Sequence, residues 1–210
     1  MKNAPAILIS ILFHPLFFTL YSFLLVFFLP GYMDMLPYSY KKTVILVFSL
    51  TSVLAPIIFL ILLRLLGVIE SVTLEKQKDR NFPLVIAFIF YVTGYILAVR
   101  FPADLPQMVF SILFVAGLSA LVALFINIKL KFSLHMLTIG CFASLFLSHY
   151  FLFQVDVMWF SILIILAAGI IAGARLKLHA HRPPEIYAGL IAGLLLGMSP
   201  SWLITLGWIL

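Results

Sequence analysis

The feature that most constrains this chain is a succession of long, uncharged apolar runs separated by short polar loops. A transmembrane helix needs about 20 apolar residues, within a range of roughly 17–25. About seven segments qualify: Ala6–Leu29, Val44–Val68, Pro83–Val99, Gln107–Ile128, Ser133–Phe153, Val157–Ala174 and Ile186–Leu210. In lipid every backbone N–H and C=O needs a partner within the protein, which leaves only helices and closed barrels. Barrel strands are about 10 residues long with alternating polarity, and no such alternation occurs here. The predicted fold is therefore all-α, a polytopic transmembrane helical bundle forming a single domain over residues 1–210.

Composition agrees. Of 210 residues, 65% are hydrophobic and 10% charged, against about 25% charged in a soluble domain. One aqueous core could not hide that much apolar surface. The net charge is +6. In a soluble protein that excess suggests nucleic acid, but here the Lys and Arg residues sit in short loops between spans, and no nucleic-acid partner is expected. They report membrane orientation, or an anionic substrate at the membrane surface. The single cysteine, Cys141, lies in an apolar run, so there is no internal disulfide and no Cys-rich metal signature. Met1-Lys2-Asn3 leads into an apolar stretch reaching about Leu29 with no small-residue cleavage site, which reads as a retained first span.

Finer features punctuate the spans. Gly197-Met198-Ser199-Pro200 predicts a kink in the last one. Gly169 and Gly173, and then Gly189, Gly193 and Gly197, recur every four residues. That spacing puts small residues on one helix face and predicts close helix packing. Arg64 falls near a span end, where it can snorkel. His14 and His149 fall inside spans and are expected to be neutral, each bonded to a neighbouring helix.

Sorting the loops by parity gives a strong asymmetry. One side holds Lys2, Arg64, Lys76, Lys78, Arg80, Lys129, Lys131, Arg175, Lys177 and Arg182; the other holds only Lys41, Lys42 and Arg100. The basic side is predicted to be cytoplasmic, in a multi-pass protein of the bacterial inner (plasma) membrane. Removing the candidate phosphate ligands Lys76, Arg80, Lys131 and Arg175 from the ten leaves six against three, the same sign.

Three loops on the basic side carry chemistry. They are Glu75-Lys76-Gln77-Lys78-Asp79-Arg80-Asn81-Phe82-Pro83, then Lys129-Leu130-Lys131-Phe132-Ser133-Leu134-His135, then the stretch from Ala174 to Glu185. Together they suit phosphoryl transfer. Arg and Lys groups hold non-bridging oxygens and offset their charge. One histidine can act as a nucleophile and a second can protonate the leaving oxygen. A carboxylate can fix the nucleophile's tautomer. Ser133 begins a span, where free backbone N–H groups favour an anion.

The third loop resembles the signature of the type-2 phosphatidic acid phosphatases, or lipid phosphate phosphatases. Their third motif is Ser-Arg, five residues, His, three residues, Asp, followed by an apolar helix with Ala-Gly. This chain has Ala174-Arg175, five residues, His181, three residues, Glu185, then Ile186-Tyr187-Ala188-Gly189. The family's second motif, Pro-Ser-Gly-His, is matched by Phe132-Ser133-Leu134-His135. The two intervening spans also fit. The first motif, Lys, six residues, Arg-Pro, has only a loose counterpart: Arg80 with Pro83 three later and Lys76 four earlier. The likeness covers residues 75–193. Departures are Glu185 for Asp, Leu134 for Gly, Ala174 for Ser, and Thr73 where the family has Lys. Lys76, Lys78 or Lys131 would substitute for that lysine, with Lys76 favoured over Lys78 by an i,i+4 helical relation to Arg80.

The resemblance implies a six-helix phosphatase core plus one further span, acting on a lipid phosphate or diphosphate without metal or other cofactor. It makes His181 the nucleophile, His135 the acid and base, and Glu185 the orienting carboxylate. Arg80, Ser133 and Arg175 become phosphate contacts, joined by Lys76 and Lys131. His179 is off the motif register. The competing readings are a haem-binding electron-transfer protein, with axial ligands drawn from His14, His135, His149, His179 and His181, and a relative that binds lipid phosphate without hydrolysing it. The five histidines form no evident helical pair at one depth.

Overall fold

A computed structural model describes residues 3–28, 33, 35–72, 74, 76–153 and 158–206. Lys2, Asp34, Thr73, Glu75 and Asp156 lie outside the described residues. Among the described residues there are helices and no strands. The helices are α1 Ala4–Leu12, α2 Phe17–Phe28, α3 Tyr38–Ser49, α4 Ala55–Leu65, α5 Asn81–Val99, α6 Gln107–Lys129, α7 Leu134–Phe153, α8 Met158–Lys177, α9 Pro183–Gly197 and α10 Ser199–Thr205.

Six stretches are long and apolar enough to cross a membrane: Tyr38–Leu65, Gln77–Val99, Gln107–Lys129, Leu134–Leu152, Trp159–Lys177 and Pro183–Thr205. The pair α1 and α2 makes a seventh if its halves count as one broken span. The chain is thus an all-α, polytopic integral membrane protein. Its exterior suits lipid rather than water: Ile162, Leu163, Ile165 and Leu166 all lie exposed on α8.

The first apolar run departs from the expected continuous span. Helix stops at Leu12 and restarts at Phe17. Pro15 disfavours the helical conformation for His14 and supplies no N–H of its own. The four residues between instead form turns, with Phe17 N–H bonded to the His14 carbonyl at 2.9 Å. A break in the helix falls where the kink was expected: α9 ends at Gly197 and α10 begins at Ser199, within one span Pro183–Thr205.

The chain divides into two compact units, residues 1–18 with 132–210 and residues 19–131. In the second unit α3 joins α4 through a π-helical turn, Leu50–Leu54, just before Pro56, which cannot donate the next helical bond. Gly67, at φ +72°, ends α4. Its N–H bonds to the Arg64 carbonyl and that of Val68 to the Leu63 carbonyl, a Schellman stop. The chain resumes helix only at a 3₁₀ turn, Gln77–Arg80, which leads into α5.

In the first unit α8 and α9 both pack on α7, and α1 packs on α8. The α7–α9 contact is close because α9 presents Gly189, Gly193 and Gly197, the face its spacing predicts. A Cβ on Gly193 would lie 2.1 Å from the Leu137 carbonyl oxygen, and one on Gly189 2.5 Å from that of Ser133. Gly140 of α7 is equally tight, 2.6 Å from the Leu190 carbonyl oxygen. The same spacing on α8 has no such consequence. Among the described residues, added Cβ atoms on Gly169 and Gly173 would meet nothing within 4 Å, so the close packing that the spacing allows is made by α9 and not by α8.

Gly193→Ala should therefore lower the melting temperature of the purified protein, with a destabilisation of about 1–3 kcal/mol from overpacking. Gly169→Ala should not destabilise it. Equal effects at the two positions would refute this account of the α7–α9 contact.

Candidate functional site

The end of α8 is built to turn the chain back on itself. The His179 N–H bonds to the Leu176 carbonyl (2.9 Å) and the Ala180 N–H to the Arg175 carbonyl (3.2 Å), a second Schellman stop. The position needing a left-handed backbone is His179, at φ 50°, one of the non-glycine types enriched there. His179 thus serves the turn. His181 follows it, and Arg182 caps α9 with Pro183 and Pro184 in its first positions, where a missing N–H costs nothing. These prolines fix where α9 begins, and so put Glu185 at its third position.

His181 and Glu185 are joined. His181 Nδ1 lies 2.7 Å from Glu185 Oε2. A carboxylate oxygen accepts, so Nδ1 carries the proton in this contact. His181 is buried and Glu185 half-buried. The extra methylene of Glu relative to Asp is accommodated at this i,i+4 spacing.

The loop into α7 meets the start of α9. Ser133 N–H donates to the Glu185 carbonyl at 3.1 Å. Ser133 Oγ is buried and has no hydrogen-bond partner, although a serine preceding a helix ordinarily caps it. His135 follows in the first turn of α7. It is buried, and its Nε2 lies 3.0 Å from the Ser10 carbonyl oxygen. Because a carbonyl can only accept, Nε2 bears the proton in this contact. Arg175, in the last turn of α8, is also buried, and its Nη1 donates to Ser10 Oγ at 3.3 Å. Arg175, His14 and His181 all act electrostatically on His135.

Ser10 and His14 are the residues that sequence reasoning missed. The His14 ring stands edge-on to His135, with centroids 5.9 Å apart and planes at 82°. His14, expected only as a neutral histidine bonded to a neighbouring helix, therefore adjoins the cluster. The available signal was the His14-Pro15 dipeptide within an otherwise apolar run. His149, expected to bond a neighbouring helix, bonds at 3.0 Å to the Leu145 carbonyl of its own helix.

The remaining expected ligands belong to the second unit. Arg80 is buried, and its Nε donates to the Leu74 carbonyl at 2.8 Å. Lys76 precedes the 3₁₀ turn in an extended conformation, so the helix-face relation to Arg80 does not hold. Its ammonium is exposed and paired with Glu70, which Lys78 also contacts at 3.0 Å. Hydrogen bonds from Lys76 and Lys78 hold the Glu70 carboxyl below the usual carboxylate range. Lys131 is half-buried on the linker between α6 and α7. Among the described residues no three His, Cys, Asp or Glu side chains group as a metal cage.

The chain matches no protein-family model, no curated protein and no solved structure. The fold and the side chains define the class: a polytopic helical membrane protein in which two histidines, an arginine and a carboxylate cluster where α7 and α9 begin and α8 ends.

Proposed function

We propose that this protein is a membrane-embedded phosphatase of the type-2 phosphatidic acid phosphatase kind, hydrolysing a lipid phosphate or diphosphate through a phosphohistidine. The observation that carries the reading is the 2.7 Å bond between His181 Nδ1 and Glu185 Oε2 within one unit that also holds Arg175, His135 and Ser133. His135, Arg175 and Glu185 sit in the first or last turns of spans, Ser133 just before one, and His181 in the short turn between two. A lipid whose tails stay in the bilayer would present its phosphate at that level.

In the first step His181 Nε2 attacks phosphorus and the bond to the lipid oxygen breaks. Protonated His135 gives that oxygen its proton. Arg175 and the Ser133 hydroxyl bind the non-bridging oxygens, while Glu185 keeps the His181 proton on Nδ1 and offsets the charge the ring acquires. In the second step His135 takes a proton from water, the resulting hydroxide attacks phosphorus, and the P–N bond breaks to release phosphate and free His181. His135 ends protonated as it began. The reaction needs nothing beyond substrate and water, so no metal or other cofactor is proposed.

The motif loops are proposed to face the cytoplasm across a bacterial inner membrane, on the charge asymmetry. Lys78, exposed in one of these loops, gives a direct test. In intact cells Lys78→Cys should resist an impermeant maleimide and react after lysis; labelling in intact cells would place the loops outside.

Purified protein in detergent with a chelator should release phosphate from lipid phosphates. His181→Ala should abolish release, and His135→Ala should reduce it by about 10²–10⁴-fold, the usual share of a general acid. Full activity in His181→Ala would sink the mechanism. Binding of lipid phosphate by wild type without turnover would replace it with the non-hydrolysing reading.

A further inference from the structure

We infer that Ser10 is a positioning residue of the proposed site, so that the N-terminal helix α1, outside the stretch that carries the motifs, belongs to the machinery. The inference deepens the phosphatase reading and rests on it.

Ser10 is buried and touches two reactive groups at once. Its hydroxyl accepts from Arg175 Nη1 at 3.3 Å, and its carbonyl accepts from His135 Nε2 at 3.0 Å. A serine within a helix usually spends its hydroxyl on a carbonyl one turn earlier in its own helix; this one meets a cation carried by α8. The break at Pro15 then stops α1 and leaves His14 edge-on to His135. His14 Nδ1 in turn accepts from the Leu16 N–H at 3.4 Å, which holds that ring within the turn. The wall beside His135 is therefore made by residues of the N-terminal segment.

The chemical consequence lies in the tautomers. Glu185 accepts a hydrogen bond from Nδ1–H of His181, which makes Nε2 the attacking nitrogen. Ser10 does the reverse for His135: its carbonyl accepts from Nε2–H, which makes Nδ1 the nitrogen that exchanges a proton. The contact survives both protonation states, because Nε2 keeps its hydrogen throughout. In the first step the proton on His135 Nδ1 passes to the lipid oxygen; in the second Nδ1 receives one from water. The Ser10 hydroxyl meanwhile fixes the guanidinium that is to receive the phosphate. His14, Arg175 and His181 are the charged or titratable groups acting on His135 from the surrounding segments, and Ser10 bonds both to His135 and to one of these partners, Arg175.

The test uses the full-length protein in detergent with a short-chain lipid phosphate. Ser10→Ala should raise KM about tenfold, the worth of one hydrogen bond to a charged group, with kcat little changed. Ser10→Thr should restore it. An unchanged KM in Ser10→Ala, or no rescue by Thr, would overturn the inference. Two readouts need no activity. The loss of melting temperature from Ser10→Ala should vanish in an Arg175→Met background, whereas an equal loss in both backgrounds would show that no such contact exists. Ring nitrogen spectra, with His135 assigned by its loss in His135→Gln, should show neutral His135 protonated at Nε2; an Nδ1–H form would contradict the carbonyl contact. If wild type hydrolyses nothing, the phosphatase reading fails by itself, and these two measurements still decide whether Ser10 holds Arg175 and His135.

Discussion

Backbone-to-backbone contact between α7 and α9 is the interaction on which the candidate site depends. Gly140 on α7 and Gly189, Gly193 and Gly197 on α9 let the helices approach until side chains have no room between them. In lipid, where apolar side chains gain little by leaving the solvent, such packing is a main source of helix association. The approach continues to the helix starts, where Ser133 N–H bonds to the Glu185 carbonyl. That bond ties the loop bearing His135 to the helix bearing Glu185. Separation of α7 from α9 would move the two histidine-bearing segments apart together.

Several parts of this arrangement were legible in the sequence. Long uncharged runs fix an all-helical membrane fold because the backbone has no alternative in hydrocarbon. The His181–Glu185 pair was legible through the resemblance, as a histidine and an acid four residues apart. The break between α9 and α10 falls at the Gly197–Pro200 stretch that the sequence singles out. Other parts were hidden for physical reasons. Hydropathy sums side chains and does not register a backbone break, so Ala6–Leu29 read as one span although Pro15 divides it. Residue spacing says which residues share a face, not what that face meets; Gly193 lies against α7, while Gly173 on α8 meets no neighbour. Lys76 appeared one helical turn from Arg80, but Gly67 had already ended α4 and helix had not resumed.

Two residues that depart from the phosphatase pattern belong to the proposed site. Glu185 is longer than the family Asp and still reaches His181 Nδ1. Leu134 in place of Gly is half-buried in the first turn of α7, beside a serine whose hydroxyl is left without a partner. Neither change prevents the buried histidine, arginine and carboxylate from collecting in one unit. The proposed chemistry asks little else of the protein: a fixed tautomer on each histidine, a cation for the phosphate, and a position at the bilayer boundary where lipid and water are both at hand.

The proposed chemistry turns on His181 carrying the phosphoryl group. Acid-labile phosphate can be trapped by rapid quenching of the protein with a ³²P-labelled lipid phosphate and located by peptide mapping under alkaline conditions. Label is expected on His181, bonded through Nε2, and none on His135. Label on His135, or steady turnover with no phosphohistidine at any time, would contradict it.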